Sequence, residues 1–261
     1  MLLEKKNAVI YGAGGAVGGA VARAFAREGA RVFLAGRSRA SIEAVASEII
    51  QAGGVAEAAQ VDALDQLSVE QHLGEVVKQT GSINISFNAI GIGHIQGMPL
   101  VEMALAEFTR PIVGYMQTQF LTSTTAAKHM LRQGSGVILA ITATPARLAI
   151  PNSGGFGVAG AAIEGLCRQL AGELGPHGIR VICLRSAGSP DAPGVGEAIR
   201  AHAEQRGISP EAFETSLAEI TLLKRLPRLA EVAGAAVLMA SDHASAMTGA
   251  VANVTCGATL D

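Results

Sequence analysis

The chain has 261 residues, of which 49% are hydrophobic and 16% charged, with 20 basic and 22 acidic side chains giving a formal net charge of −2. Such a composition buries a sizeable core and excludes a disordered chain, and its near-neutral balance offers no basic field for nucleic acid or an acidic membrane surface. Tryptophan is absent and Tyr11 and Tyr115 are the only tyrosines, so any chemistry that needs a phenol has few candidates.

Short β-like runs alternate with stretches of helical period from one end to the other, the pattern of a parallel sheet covered by helices on both faces. Residues 1–6 lack the charged head, apolar middle and cleavage site of a signal peptide, and a cytoplasmic location is expected. A strand is predicted over Ala8–Tyr11, then a glycine-rich turn and a helix over Val17–Glu28. Strands Arg31–Ala35, Val55–Val61 and Ile83–Asn88 alternate with helices Arg39–Gln51 and Gln66–Gln79. The long helix Leu105–Arg132, strand Val137–Ile141, helix Gly155–Leu174 and strand Ile179–Leu184 follow. Residues 186–226, rich in Pro, Gly and charge, read as a lid insertion with one or two short helices. Helix Ala230–Ala240 and strand Ala250–Val254 close a single domain spanning 1–261. No apolar run reaches the ~20 residues that cross a bilayer. Cys167, Cys183 and Cys256 read as core fillers in a reducing compartment. His72, His94, His129, His177, His202 and His243 show no ligand spacing, so no metal site is expected.

The turn after the first strand reads Gly12-Ala13-Gly14-Gly15-Ala16-Val17-Gly18-Gly19. Glycines let backbone approach a pyrophosphate closely, and a helix N-terminus offers free N–H groups and a positive dipole end. The G-x-G-x-x-G spacing is not met, because Val17 stands five residues after Gly12, and a tight turn without a ligand is the alternative reading. The second strand ends in Gly36-Arg37-Ser38-Arg39, with no acidic residue to hold the ribose 2′-hydroxyl of NAD. Gly36 leaves room and Arg37 with Arg39 can neutralise a 2′-phosphate, which favours NADP(H) over NAD(H). Arginines merely solvated at a helix start are the alternative.

With these motifs in this order, the chain resembles the short-chain dehydrogenase/reductase family over almost its whole length. Gly12 through Gly18 is similar to the family's T-G-x-x-x-G-x-G loop, with Tyr11 for Thr and Ala16 for the middle Gly. Asp62 matches the aspartate that holds the adenine amino group, and Phe87-Asn88-Ala89-Ile90 matches the N-N-A-G strand end with two replacements. Gly178 through Val181, Glu231 through Asp242, and Thr248-Gly249 match the sixth strand and the C-terminal segment. The resemblance implies a single doubly wound Rossmann domain of the α/β class, with a seven-stranded parallel sheet. It further implies cofactor contacts at Gly12, Gly14, Gly15, Val17, Gly18, Arg37, Ser38, Asp62, Ala63, Asn88, Ala89 and Ile90. A homodimer or homotetramer is implied through the helix 155–174 and the long helix before it.

The family's chemistry resides in Asn, Ser, Tyr and Lys, and here the resemblance places Pro111, Ala143, Phe156 and Gly160 at those four positions. Hydride delivery to a carbonyl leaves an alkoxide, which needs a proton donor and a hydrogen-bonding group on its oxygen. None of the four replacements offers either, and a missing positioned acid forfeits ~10² to 10⁴ in rate. The family's Pro-Gly turn after the sixth strand is also altered, to Ser186-Ala187 or, one residue on, Ala187-Gly188. Neither Tyr11, beside the glycine loop, nor Tyr115, on the long helix, stands at the family's tyrosine position.

His94, on a glycine-flanked loop, is a candidate acid or base, against a hydrogen-bonded bystander. Thr142, Thr144 and Ser153 are candidate donors to a substrate oxygen, against local caps. Arg185 is a candidate clamp for a substrate carboxylate or phosphate, against a structural ion pair. Two functions follow as expectations. One is an NADP(H)-dependent oxidoreductase whose catalytic groups are displaced or whose substrate, a small carbonyl, imine or alcohol, needs little acid help. The other is an inactive NADP(H)-binding protein, acting as a sensor or as a structural subunit beside an active paralogue.

Overall fold

The computed structural model describes residues 1–260. Seven strands, β1 (Asn7–Tyr11), β2 (Arg31–Gly36), β3 (Val55–Gln60), β4 (Ile85–Asn88), β5 (Gly136–Ala143), β6 (Ile179–Ser186) and β7 (Val251–Val254), form one sheet in the order β3-β2-β1-β4-β5-β6-β7. Every neighbouring pair is parallel. Helices α1 (Ala16–Arg27), α2 (Arg39–Gln51), α3 (Gln66–Thr80), α4 (Leu105–Gln133) and α5 (Gly155–Leu174) connect them, and α6 (Pro193–Arg206), α7 (Pro210–Glu219) and α8 (Leu229–Ala240) lie between β6 and β7. The α/β doubly wound Rossmann architecture expected from the sequence is therefore present.

Alternation along the central strands places Ala8 and Ile10 in one core with Phe25, Ile42 and Val237, beneath α1, α2 and α8. Val9 and Tyr11 point the other way, into a core with Leu73, Met130 and Ile163 beneath α3, α4 and α5. Burial on both faces explains why the strands read as short continuous apolar runs. Strand order reverses between β1 and β4, and at this switch point the carboxyl ends of the strands open a crevice.

Two strands run two residues further at their carboxyl ends than predicted. β5 continues to Ala143 and β6 to Ser186, because the pairs Thr142–Arg185 and Ala143–Ser186 extend the ladder. Arg185 and Ser186 are thus sheet residues, and the segment before α8 begins after them. Ile199, Ala203 and Phe213 on α6 and α7 form a small apolar cluster of their own.

α4 and α5 pack closely. Pro111 sits inside α4, where it removes one helical N–H, and a Cβ built on Gly155 at the start of α5 would lie 2.0 Å from the Phe108 carbonyl oxygen and 3.0 Å from Pro111 Cγ. Gly155→Ala should therefore cost about 1–3 kcal/mol in urea unfolding, since backbone must move to admit one methyl. His72 on α3 is half-buried against Tyr11, with ring centroids 6.2 Å apart, and its buried Nδ1 has no hydrogen-bond partner among the described residues. Burial lowers its pKa to about 4. A folded-state pKa below the unfolded ~6.5 means that stability from neutral His72 is full above pH ~6.5 and is lost as pH falls toward 4, by roughly 3 kcal/mol. His72→Leu should flatten that part of the stability–pH curve, measured by denaturant titration at each pH.

Candidate functional site

The crevice at the switch point is a cleft of about 410 Å³. Its floor is the turn after β1. Gly12 has φ +74°, and a Cβ there would lie 2.7 Å from the Ala89 carbonyl oxygen, so only glycine lets the exits of β1 and β4 approach this closely. Gly14 and Gly15 line the cleft, and Gly15 is the N-cap of α1 without a side-chain cap, which leaves helix amides for an anion. Gly18 supports the turn from behind, its α-carbon packed where a Cβ would meet Gly12 O at 2.3 Å.

At one end of the cleft stand Gly36, Arg37 and Ser38. Ser38 caps α2 by accepting from the Ser41 amide, and Arg39 is held by Glu43 at 2.7 Å. Arg37 has no carboxylate partner among the described residues. Asp62 and Ala63 line the same wall, with Asp62 Oδ1 accepting from the Leu64 amide at 3.0 Å. Tyr11 also borders the cleft, and its hydroxyl is buried with no hydrogen-bond partner among the described residues, which raises its pKa. Ala89 and Ile90 form the opposite wall. Asn88 lies behind them, 2% exposed, donating to Thr122 Oγ1 at 3.0 Å and accepting from the Ile90 amide. Its polar atoms fasten the β4 exit to α4 instead of facing the cleft.

A second pocket of about 210 Å³ continues from the first, sharing Ala89, Ile90 and Gly91. Val17 belongs to its wall, as do Ala143, Phe156 and Gly160, and Ala192 and Val195 from the segment after β6. Few polar atoms face it. Thr142 lines it but donates to Glu164 Oε1 at 3.1 Å. Ser186 lines it, 7% exposed, and its Oγ has no hydrogen-bond partner among the described residues. Tyr115 lines it from α4, its ring centroid 6.1 Å from that of Phe156. Burial raises the Tyr115 pKa, opposed by the Ile92 amide.

Tyr115 was not a candidate on sequence grounds, because nothing local tells that one face of a 29-residue helix turns toward the pocket. The only available signals were its position one turn after Pro111 and the adjoining Gly114, where a Cβ would press on the Ile92 side chain at 3.0 Å. Ser186 was hidden by its place at the predicted start of the lid.

Other candidates lie elsewhere. His94 is not on the wall of either pocket. Its ring stacks on Phe156 at 4.4 Å, Nδ1–H donates to Ile92 O at 2.7 Å, and Nε2 accepts from Gln96 at 2.8 Å. Gln96 in turn accepts from His202 of α6 at 2.9 Å. This chain ties the loop after β4 to α6. Ser153 is buried and donates to Ile150 O at 2.9 Å, a local turn bond, and Thr144 is buried in the short 3₁₀ turn after β5. Neither lines the pocket. Arg185 is corrected from substrate clamp to structural partner: it is 3% exposed and its Nε and Nη2 each donate to Glu164 at 2.8 Å, a two-pronged pair that takes its carboxylate-matching edge.

A family model described as enoyl-(acyl carrier protein) reductase matches residues 12–259. The chain belongs to the short-chain dehydrogenase/reductase family. It is 32% identical over 247 residues to the uncharacterized oxidoreductase YxbG of Bacillus subtilis, covering 95% of this chain and 88% of that one. With the 7alpha-hydroxysteroid dehydrogenase of Escherichia coli K12 it shares 31% identity over 255 residues, 98% of this chain and 94% of the other. The structure of sorbitol-6-phosphate 2-dehydrogenase SrlD from Erwinia amylovora superposes with a TM-score of 0.91 at 27% identity, covering 97% and 100% of the two chains. NAD+-bound xylitol dehydrogenase has the same fold, with a TM-score of 0.91 at 22% identity over 97% and 99%. The family consists of oxidoreductases that use a nicotinamide cofactor.

Beneath the second pocket, the Glu164–Arg185 pair is buried on both sides, with side chains 7% and 3% exposed. Removing one partner leaves an uncompensated charge, so Arg185→Met should lower stability by about 3–5 kcal/mol in denaturant titration. The double change with Glu164→Leu should lose less than the single one.

Proposed function

We propose that the protein is an NADP(H)-dependent oxidoreductase acting on a small carbonyl, imine or alcohol through catalytic groups displaced from their usual positions. The observation that carries the cofactor choice is Arg37, at the cleft end with Gly36 and Ser38 and without a carboxylate partner among the described residues. Arg39, tied to Glu43, is a secondary contributor at most. The cleft residues fit a dinucleotide. Gly14, Gly15 and the uncapped start of α1 would hold the pyrophosphate, Asp62 and Ala63 the adenine, and Ala89 and Ile90 would flank the path to the second pocket. When bound, the cofactor supplies or accepts a hydride at its nicotinamide ring.

A substrate role for the second pocket is supported by its walls. They are apolar apart from a few hydroxyls, and Ser189, Ala192 and Val195 of the proposed lid close one side. A small, largely apolar substrate with one polar reacting group suits such walls.

The second reading, an inactive NADP(H)-binding subunit or sensor, draws support from Ala143, Phe156 and Gly160, which line the pocket without an acid among them. In that role an active paralogue is the natural partner. Under either reading we propose a single cytoplasmic domain that forms a homodimer or homotetramer through α4 and α5, where Val113, Phe120 and Val158 remain exposed. Val113 and Phe120 are seven residues apart and so share one helix face.

Fluorescence titration with NADPH and NADH tests the cofactor choice. The wild type should prefer NADPH, and Arg37→Ala should weaken NADPH by roughly 10- to 100-fold, the range for a charge-assisted contact, while NADH changes little. Equal loss for both cofactors would remove the 2′-phosphate role. Cofactor consumption over a panel of ketones, imines and enones then separates the two functions, since the inactive reading requires binding without turnover.

A further inference from the structure

Carbonyl reduction in the second pocket has two chemical requirements: a group that gives a proton and a hydroxyl or amide that holds the oxygen as charge develops. Among the residues that line this pocket, Tyr115 is the only one with a titratable side chain. No Lys, His, Cys, Asp or Glu belongs to the wall. His94 is withdrawn behind Phe156 with both ring nitrogens engaged. The Thr142 hydroxyl is committed to Glu164. The buried Ser186 Oγ, by contrast, borders the pocket with no hydrogen bond made. A buried hydroxyl left without a partner carries a desolvation cost, which a ligand oxygen would relieve.

Both groups adjoin positions at which the resemblance places Ala143 and Phe156 in place of the family's Ser and Tyr. Ser186 is the register partner of Ala143 across β5 and β6, so the two side chains emerge on the same face about 4.8 Å apart. Tyr115 is a ring neighbour of Phe156, with centroids 6.1 Å apart. We infer that Tyr115 on α4 is the proton donor of this pocket and that Ser186 on β6 holds the substrate oxygen, each acting from an element adjacent to the one that carries Phe156 or Ala143. The inference rests on the oxidoreductase reading above.

In the reduction, a bound reduced nicotinamide would supply the hydride for the new C–H bond at the carbonyl carbon, and the C=O π pair would move to oxygen. Tyr115 Oη breaks its O–H bond and passes the proton to that oxygen while Ser186 Oγ–H donates to it. The substrate is reduced by two electrons, the nicotinamide is oxidised by two, and the Tyr115 phenolate regains its proton from solvent. Burial raises the pKa of this phenol and so favours its return to the protonated form, opposed only in part by the Ile92 amide.

The experiment is a comparison of wild type, Tyr115→Phe, Ser186→Ala and Phe156→Tyr with NADPH, using a ketone that the wild type reduces and a preformed iminium ion that needs no proton. Tyr115→Phe removes one oxygen atom and should lower kcat on the ketone by ~10²- to 10⁴-fold. Ser186→Ala should lower it by ~10²- to 10³-fold. Both variants should keep the wild-type affinity for NADPH, and Tyr115→Phe should keep iminium reduction. A second readout does not depend on turnover. With two tyrosines and no tryptophan in the chain, the near-ultraviolet phenolate band is easily resolved. Binding of NADP+ should shift one phenol's ionisation to lower pH, and Tyr115→Phe should abolish that shift. Ketone turnover within threefold of wild type in Tyr115→Phe, or a phenolate shift that survives it, overturns the inference and leaves the oxidoreductase reading intact. A wild type that binds NADPH and reduces none of the panel overturns both. Loss of ketone and iminium turnover together in Tyr115→Phe assigns it a structural role and overturns the inference alone.

Discussion

The close approach of the β1 and β4 exits is the constraint on which the rest of the molecule depends. Strand order reverses between these two strands, so the helices that follow them leave on opposite faces and a crevice must open above the sheet. Gly12, at φ +74° and with no room for a Cβ against Ala89, is what lets the two exits come together. α1 then starts at the cleft floor with its amides free, and the chain after β4 forms the wall shared by both pockets. Two apolar cores of Val, Ile, Leu and Phe, one on each sheet face, hold the strands in this arrangement.

The second pocket is governed by a different balance. Its wall carries no formal charge, while directly beneath it Glu164 and Arg185 neutralise each other in a buried two-pronged pair that also takes up the Thr142 hydroxyl. A charge pair of this kind costs desolvation and is tolerated because its hydrogen bonds are made. The result is a pocket whose free polar groups are few. In such surroundings each remaining hydroxyl has more influence on a bound oxygen than it would in water. The hydrogen-bond chain from His94 through Gln96 to His202 lies outside this pocket and connects the loop after β4 to α6, so it acts on how the segment covering the pocket is held.

Much of the fold was legible in the sequence. Each strand was marked by a short apolar run, and α2 and α5 were bounded to the residue by Ser38 and by Gly154-Gly155. The glycine turn, the missing acid after β2 and the Arg37 side chain were also legible, because turns and strand ends are written in a few consecutive residues. Strand lengths at the C-terminal end of the sheet were less legible. Arg185 and Ser186 look like loop residues in isolation and become strand only because β5 extends beside them.

Local sequence by itself determined the order of elements, the doubly wound class and the dinucleotide-shaped turn, since periodicity and backbone stereochemistry act over short distances. Only the tertiary structure decided which side chains meet. Arg185 faces Glu164 from another element, and Asn88 is turned inward to Thr122. His94 is set behind Phe156, while Tyr115 and Ser186 reach one pocket from α4 and β6. Such meetings are fixed by the packing of helices on a sheet whose neighbouring strands are distant in the chain, and no spacing along the sequence encodes them.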